Sequence, residues 1–163
     1  MKLKFKKLNL DVVIPEYKTP GAAGMDVCAT MDVKLQPGEH FLMPLGFALE
    51  IEPGYAAYLI PRSGAGCKGL NLKNTLGLID SDYRGEVRCP IEYKGVRELM
   101  LHNSDLGDRI SGFVARDYGY EVKKGARIAQ LVIAPVIQAE IETVDELSST
   151  ERGCGGFGHT DKM

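Results

Sequence analysis

Short β-type runs, cut apart by glycine and proline, constrain this chain more than any other feature. Val12 to Ile14, Asp26 to Ala29, Val33 to Leu35, His40 to Leu45, Phe47 to Ile51, Tyr55 to Ile60, Val87 to Tyr93 and Ile128 to Ile133 are rich in β-branched or alternating apolar residues. Such runs favour strands because branched side chains pack well on a pleated surface. Gly38, Gly46, Gly54, Gly64, Gly66 and Gly69 fall between several of them, where turns are needed. Helical periodicity is nearly absent, and the one short helix expected lies around Gly69 to Thr75. Many short strands with turns this frequent predict an all-β subunit, a jelly-roll-like barrel or sandwich.

The chain has 163 residues, and positions 1–150 are read as a single domain able to bury its own core. A net charge of −2 argues against holding nucleic acid by bulk electrostatics, so an anionic ligand must be met by local basic groups. Leu8 to Ile14 is too short, and too interrupted by Asn9 and Asp11, to be a signal or to enter a membrane. Cys28, Cys67, Cys89 and Cys154 lack metal-site spacing, which fits free thiols in a reducing cytoplasm. His40, His102 and His159 are scattered in the same way, the first two reading as surface or turn residues.

Chemistry concentrates in Gly77 to Glu86. Gly77 and Gly85 punctuate the stretch, Leu78, Ile79 and Val87 supply apolar flanks, and Asp80-Ser81-Asp82 is turn chemistry, so a hairpin or tight loop between two strands is expected. Acidic turn residues do no more than that in many proteins. Here Tyr83 adds a ring for a flat ligand beside the Asp80 carboxylate, and the upstream Asn74 carries an amide able to read a base edge. Arg62, Ser63 and Gly64 open a loop after the run ending at Ile60. An arginine fork, a hydroxyl and a bare backbone form either a phosphate clamp or an ordinary surface turn. Arg127 and Gln130 lie three apart on another run, so strict alternation would put them on opposite faces, one structural and one facing the site. The Gly-rich end, residues 151–163, is either a frayed terminus or a lid that orders over ligand, with Phe157 stacking while Arg152, backbone amides and Thr160 take an anionic group.

Taken together, GAAGMDVCA (Gly21 to Ala29), PRSGAG (Pro61 to Gly66), NTLGLIDSDYRGEV (Asn74 to Val87), GARIAQLVI (Gly125 to Ile133) and RGCGGFGHT (Arg152 to Thr160) resemble, in order, the five motifs of the trimeric dUTPase family. The resemblance spans nearly the whole chain. It implies a jelly-roll subunit of a homotrimer that hydrolyses dUTP to dUMP and pyrophosphate with Mg²⁺, each site drawing motifs from different subunits. Pro135 would then hinge Val136 to Val144 onto a neighbour.

Carried over by residue, Asp80 is the expected general base, and Tyr83 packs under the deoxyribose where a 2'-hydroxyl would clash. Asn74, the Gly77, Leu78 and Ile79 backbone and Arg88 are expected to read uracil. Arg62, Ser63, Gly64 and Gln130 are expected on the phosphates, and Arg152, Phe157, Gly158, His159 and Thr160 form the lid. No protein group is expected to ligate the metal directly, and Asp26 lies either beside its water shell or in a salt bridge. His159 and Asp161 depart from the family's serine and glycine. The chain is also longer than the compact pattern between Tyr83 and Arg127, the surplus falling within 94–118, where Glu98 to Leu101 and Ile110 to Ala115 are expected to pair as a hairpin. This insertion is either a plain surface elaboration or a docking arm for another protein, as in phage-borne members, which would act in a host cytoplasm. The rival functions are dCTP deamination on the same fold, and a nucleotide-sensing regulator acting through the insertion.

Overall fold

A computed structural model describes residues 1–102, 109–116 and 119–156. In chain order its elements are β1 (Lys4–Lys7), β2 (Met25–Cys28), β3 (Val33–Leu35), β4 (His40–Pro44), β5 (Phe47–Glu50), β6 (Tyr55–Pro61), α1 (Ser63–Gly66), β7 (Leu70–Leu72), β8 (Gly77–Ile79), β9 (Arg88–Tyr93), β10 (Val96–His102), β11 (Arg109–Arg116), β12 (Tyr120–Val122) and β13 (Arg127–Pro135). The expected jelly-roll-like, all-β class is what the chain adopts, with a single helical turn. A four-stranded sheet runs β2-β13-β6-β8 and a three-stranded one β4-β9-β7, with the pairs β1-β5, β12-β3 and β10-β11 beside them. One apolar cluster joins the two larger sheets, with Val27, Leu59 and Leu131 from the first and Met43, Leu72 and Ile91 from the second. The hairpin expected in the insertion forms: β10 and β11 pair antiparallel from Val96–Arg116 to His102–Arg109.

Two expectations fail, each for a local reason. Val12 to Ile14 makes no strand, because Val12 is buried as a plug beneath the β4–β5 turn and Pro15 follows. The helix expected around Gly69 to Thr75 is instead β7, whose Leu70 and Leu72 are both buried at the period of two that a strand imposes. Of the two readings of Asp80-Ser81-Asp82, the tight loop between strands holds and the hairpin does not, since β8 pairs with β6 while β9 belongs to the other sheet. The loop therefore crosses from one sheet to the next. The basic start, not read as a strand, supplies β1, where Phe5 packs edge-on against Phe47 with ring centres 5.4 Å apart while Lys4 and Lys6 stay exposed.

The cysteines are all unpaired, and burial pushes the Cys89 thiol up to about 12. Among the described residues, no helix is long and apolar enough to cross a membrane.

The β4–β5 turn depends on Gly46, which sits at φ +69° with its open side against Val12, so that an added Cβ would run into Val12 Cγ2. Gly46→Ala should lower unfolding stability by about 2 kcal/mol, combining left-handed strain with the clash, as read by the urea midpoint.

Candidate active site

The crossing loop after β8 encloses a cleft of about 240 Å³ lined by Leu78, Ile79, Asp80, Tyr83, Glu86, Val87 and Arg88. Asp80 also borders a second cleft of about 540 Å³, with Gly54, Tyr55, Ser81, Asp82 and Gln138. Its carboxylate thus stands on a ridge between two hollows. The loop is tightly built. Tyr83 N–H donates to the Asp80 carbonyl at 3.2 Å, and the Tyr83 hydroxyl donates to the Glu86 carbonyl at 3.0 Å. Arg84 Nη1 donates to the carbonyls of Ser81 at 2.6 Å and Tyr83 at 3.0 Å. Gly85 is required by the ring, since a Cβ there would lie 2.6 Å from Tyr83 Cζ.

Of the residues expected to act together, Leu78, Ile79, Asp80, Tyr83 and Arg88 meet in this cleft. Gly77 is buried in β8 with its Cα side against Leu59, and Asn74 lies exposed on the preceding turn, outside the cleft lining. Glu86 was not foreseen. It sits between the Gly85 punctuation and the apolar run of β9, and its position as a third wall of the cleft depends on the loop's path.

Arg62, Ser63, Gly64, Gln130 and Arg127 form a separate group. Ser63 and Gly64 open α1, whose backbone turns are closed by Ala65 and Gly66 N–H donating to the Arg62 carbonyl at 3.1 and 2.8 Å. Asp26, only 7% exposed, accepts from Arg62 Nε at 2.9 Å and from Arg127 Nη1 at 3.1 Å. Of the two places left open for Asp26, the structure shows the salt bridge. The opposite-face expectation for Arg127 and Gln130 fails because β13 bulges between Arg127 and Ala129: Arg127 pairs with Cys28 and Gln130 with Asp26, two residues apart on β2. One extra residue resets the alternation, so both side chains stand on the same face. Cys28 lies beside this group, its thiol pushed up first by burial and then by Asp26.

The two groups occupy opposite ends of one strand pair. Ile79, next to Asp80, pairs with Ala57, whereas Arg62 follows Pro61 at the other end of β6. Five residues of extended chain from Ala57 to Arg62 span about 16 Å at roughly 3.3 Å per residue. In the tail, Arg152 Nε donates to the Gly155 carbonyl at 2.8 Å and Gly153 adopts φ +53°. Phe157, Gly158, His159 and Thr160 lie outside the described residues, as do residues 103–108.

The chain was compared with known proteins. A dUTPase family model matches residues 11–110 and 103–161. The deoxyuridine 5'-triphosphate nucleotidohydrolase of Nautilia profundicola is 48% identical over 163 residues, covering 99% of this chain and 100% of that protein. Its namesake from Desulfotalea psychrophila is 45% identical over 150 residues, covering 90% and 86%. Among solved structures, the Staphylococcus bacteriophage 80alpha dUTPase with dUPNHPP matches with a TM-score of 0.78 at 31% identity, over 97% of each chain. A variant dUTPase of S. aureus phage phi11, described for its coordination of a structural Mg(II) ion, matches at 0.71 and 27% identity, over 90% of this chain and 98% of that one. These two solved structures are of phage proteins, and the two bacterial proteins are more similar to this chain in sequence.

Asp26→Ala should cost about 2 kcal/mol in a urea titration. It strands two guanidinium groups at once, though the half-exposed Arg127 recovers part of its hydration.

Proposed function

The chain belongs to the dUTPase family, and on that premise we propose that it hydrolyses dUTP to dUMP and pyrophosphate. The observation that carries the reading is the cleft after β8, where Asp80, Tyr83 and Arg88 converge within a sequence matching the family from end to end. In the proposed step, Asp80 orients a water and takes its proton as the oxygen attacks the α-phosphorus. The bond from that phosphorus to the β-phosphate bridge breaks, and pyrophosphate leaves. The Tyr83 ring, tethered through its hydroxyl to the Glu86 carbonyl, fills the space a ribose 2'-hydroxyl needs. β8 is the edge strand of its sheet, so outward backbone groups at Leu78 are free to pair with uracil in strand fashion. Cytosine reverses a donor and an acceptor on that edge and would leave polar groups unpaired, which favours uracil strongly.

Arg62, Ser63, Gly64 and Gln130 are assigned to the phosphates. Because Arg62 lies about 16 Å along the chain from the Ala57–Ile79 pair beside Asp80, the reading takes the phosphate-binding group from another copy of the chain, in a homotrimer. The exposed stretch after Pro135 supports this: Ile137, Ile141 and Leu147 are 93%, 92% and 88% exposed, apolar surface suited to a neighbouring subunit. The tail from Arg152 onward is assigned as the lid, Phe157 closing on uracil and Gly158, His159 and Thr160 reaching the phosphates.

Among the described residues, no cluster of three or more His, Cys, Asp or Glu could cage a cation. Mg²⁺ is assigned to uptake with the triphosphate, whose oxygens and waters would fill its shell. Bound there, the ion would neutralise phosphate charge. The chain's own part is to place the Arg62 fork and the Asp80 carboxylate on either side of the triphosphate.

Pyrophosphate release from dUTP should be lost, by about 10²-fold or more, in both Asp80→Asn and Arg62→Ala. Mixing the two inactive chains under exchange conditions should restore activity, since some sites then combine an intact Asp80 with an intact Arg62. No recovery would mean that the site lies within one chain. Tyr83→Ala should raise turnover of UTP relative to dUTP, and an unchanged ratio in paired kcat/KM measurements would refute the steric account.

A further inference from the structure

Glu86 ties the crossing loop to the β4–β5 turn and to Arg88. Its Oε1 accepts the Gly46 N–H at 3.0 Å, anchoring the loop to the β4–β5 turn. Its backbone carbonyl accepts the Tyr83 hydroxyl at 3.0 Å, and its Oε2 lies 3.6 Å from Arg88 Nε. The carboxylate is three-quarters buried, whereas the Arg88 head is more than half exposed. Gly46 can offer its N–H in this direction because it occupies the left-handed region, and Val12 fills the space behind it. Val87, next in sequence, ladders to the same turn through its N–H to Phe47 O at 2.9 Å and its carbonyl to Leu45 N–H at 3.0 Å. The first of these also holds the planar peptide that carries the Glu86 carbonyl, so the acceptor of the Tyr83 hydroxyl is tied twice, through the Val87 N–H and through the Glu86 side chain.

We infer that Glu86 is a specificity-determining positioning residue: pinned to Gly46, it holds the Tyr83 ring and the Arg88 guanidinium at the spacing that admits a deoxyribose and refuses a ribose. The Tyr83 hydroxyl is oriented by a carbonyl whose peptide is laddered to Phe47 and whose side chain is fixed by the Glu86–Gly46 bond. Cutting that bond leaves the carbonyl on the Val87 ladder alone and removes the partner of Arg88, so the ring and the guanidinium loosen together. The cleft then widens on the sugar side without loss of Asp80. A buried acceptor is what the Gly46 N–H requires, and charge is what Arg88 requires, so the two functions of the carboxylate are separable by substitution.

This inference rests on the dUTP reading, and its test separates the two. Three variants are compared with the wild-type chain in kcat/KM for dUTP and UTP with Mg²⁺, and in calorimetric affinity for dUMP and UMP. Glu86→Ala should raise the UTP share of kcat/KM by about tenfold, a shift worth about 1.4 kcal/mol in discrimination. The loss on dUTP should fall mainly in KM. Glu86→Gln keeps an acceptor for the Gly46 N–H and should retain the sugar preference, while losing affinity common to both nucleotides through Arg88. Gly85→Ala meets the Tyr83 ring directly and should shift the ratio in the same direction as Glu86→Ala. An equal fall for dUTP and UTP in Glu86→Ala, or a Gln variant as unselective as the Ala variant, would overturn the assignment. Wild-type protein that binds dUMP over UMP but releases no pyrophosphate from dUTP would refute the hydrolytic reading. The same binding ratio in the variants would still decide the role of Glu86, and a wild type with no preference between dUMP and UMP would refute that role.

Discussion

Strand β6 is paired along both edges, with β13 on one side and β8 on the other, and this double ladder sets where every group of the candidate site stands. Ala57 and Leu59 are fully buried on it, so the strand has neither spare backbone nor slack side chains with which to shift. Its first half delivers the edge strand that leads into Asp80, and its end delivers Arg62. A single rigid element thus separates the Asp80 carboxylate from the Arg62 guanidinium. Packing of this kind does not flex over such a separation, which is why the proposed site draws its two halves from different copies of the chain.

Electrostatics at the far end follow from a count of charges. One buried carboxylate between two guanidinium groups leaves a net positive face, in a chain whose overall charge is −2. Asp26 restrains the arginines without cancelling them, and its Arg62 bond uses only the Nε edge, leaving the other nitrogens of the fork for a ligand. The bulge in β13 is what makes the arrangement possible. Without the extra residue, Arg127 would turn away from Asp26, and Arg62 would hold the buried carboxylate alone.

The sequence disclosed the chemistry of this protein more readily than its geometry. Runs such as Val33 to Leu35 and Tyr55 to Ile60 were legible as strands because alternating or branched apolar residues leave few other choices. Leu70 to Leu72 was not, because three residues beside a glycine carry too little pattern to separate one helical turn from a short strand. Val12 to Ile14 had the right composition but no partner, and strand formation is decided by the neighbour as much as by the run. The Arg127–Gln130 face was misjudged because a bulge leaves no reliable mark in composition. Asp80 and Tyr83 stood out from residue chemistry alone. Glu86 did not, since its importance comes from Gly46, forty residues away, and from a left-handed turn seen only in the backbone.

The strap beyond Pro135 carries a cellular consequence. A newly made copy that has not met its neighbours displays Ile137, Ile141 and Leu147 on a stretch with no regular structure, the kind of segment that chaperones hold and proteases engage first. If assembly buries that segment, survival of the chain becomes a race between encounter and degradation, and encounter depends on a power of concentration greater than one. Lowering expression by half would then remove more than half of the working sites. Under such assembly, gene dosage would join folding stability in setting how many working sites a cell holds.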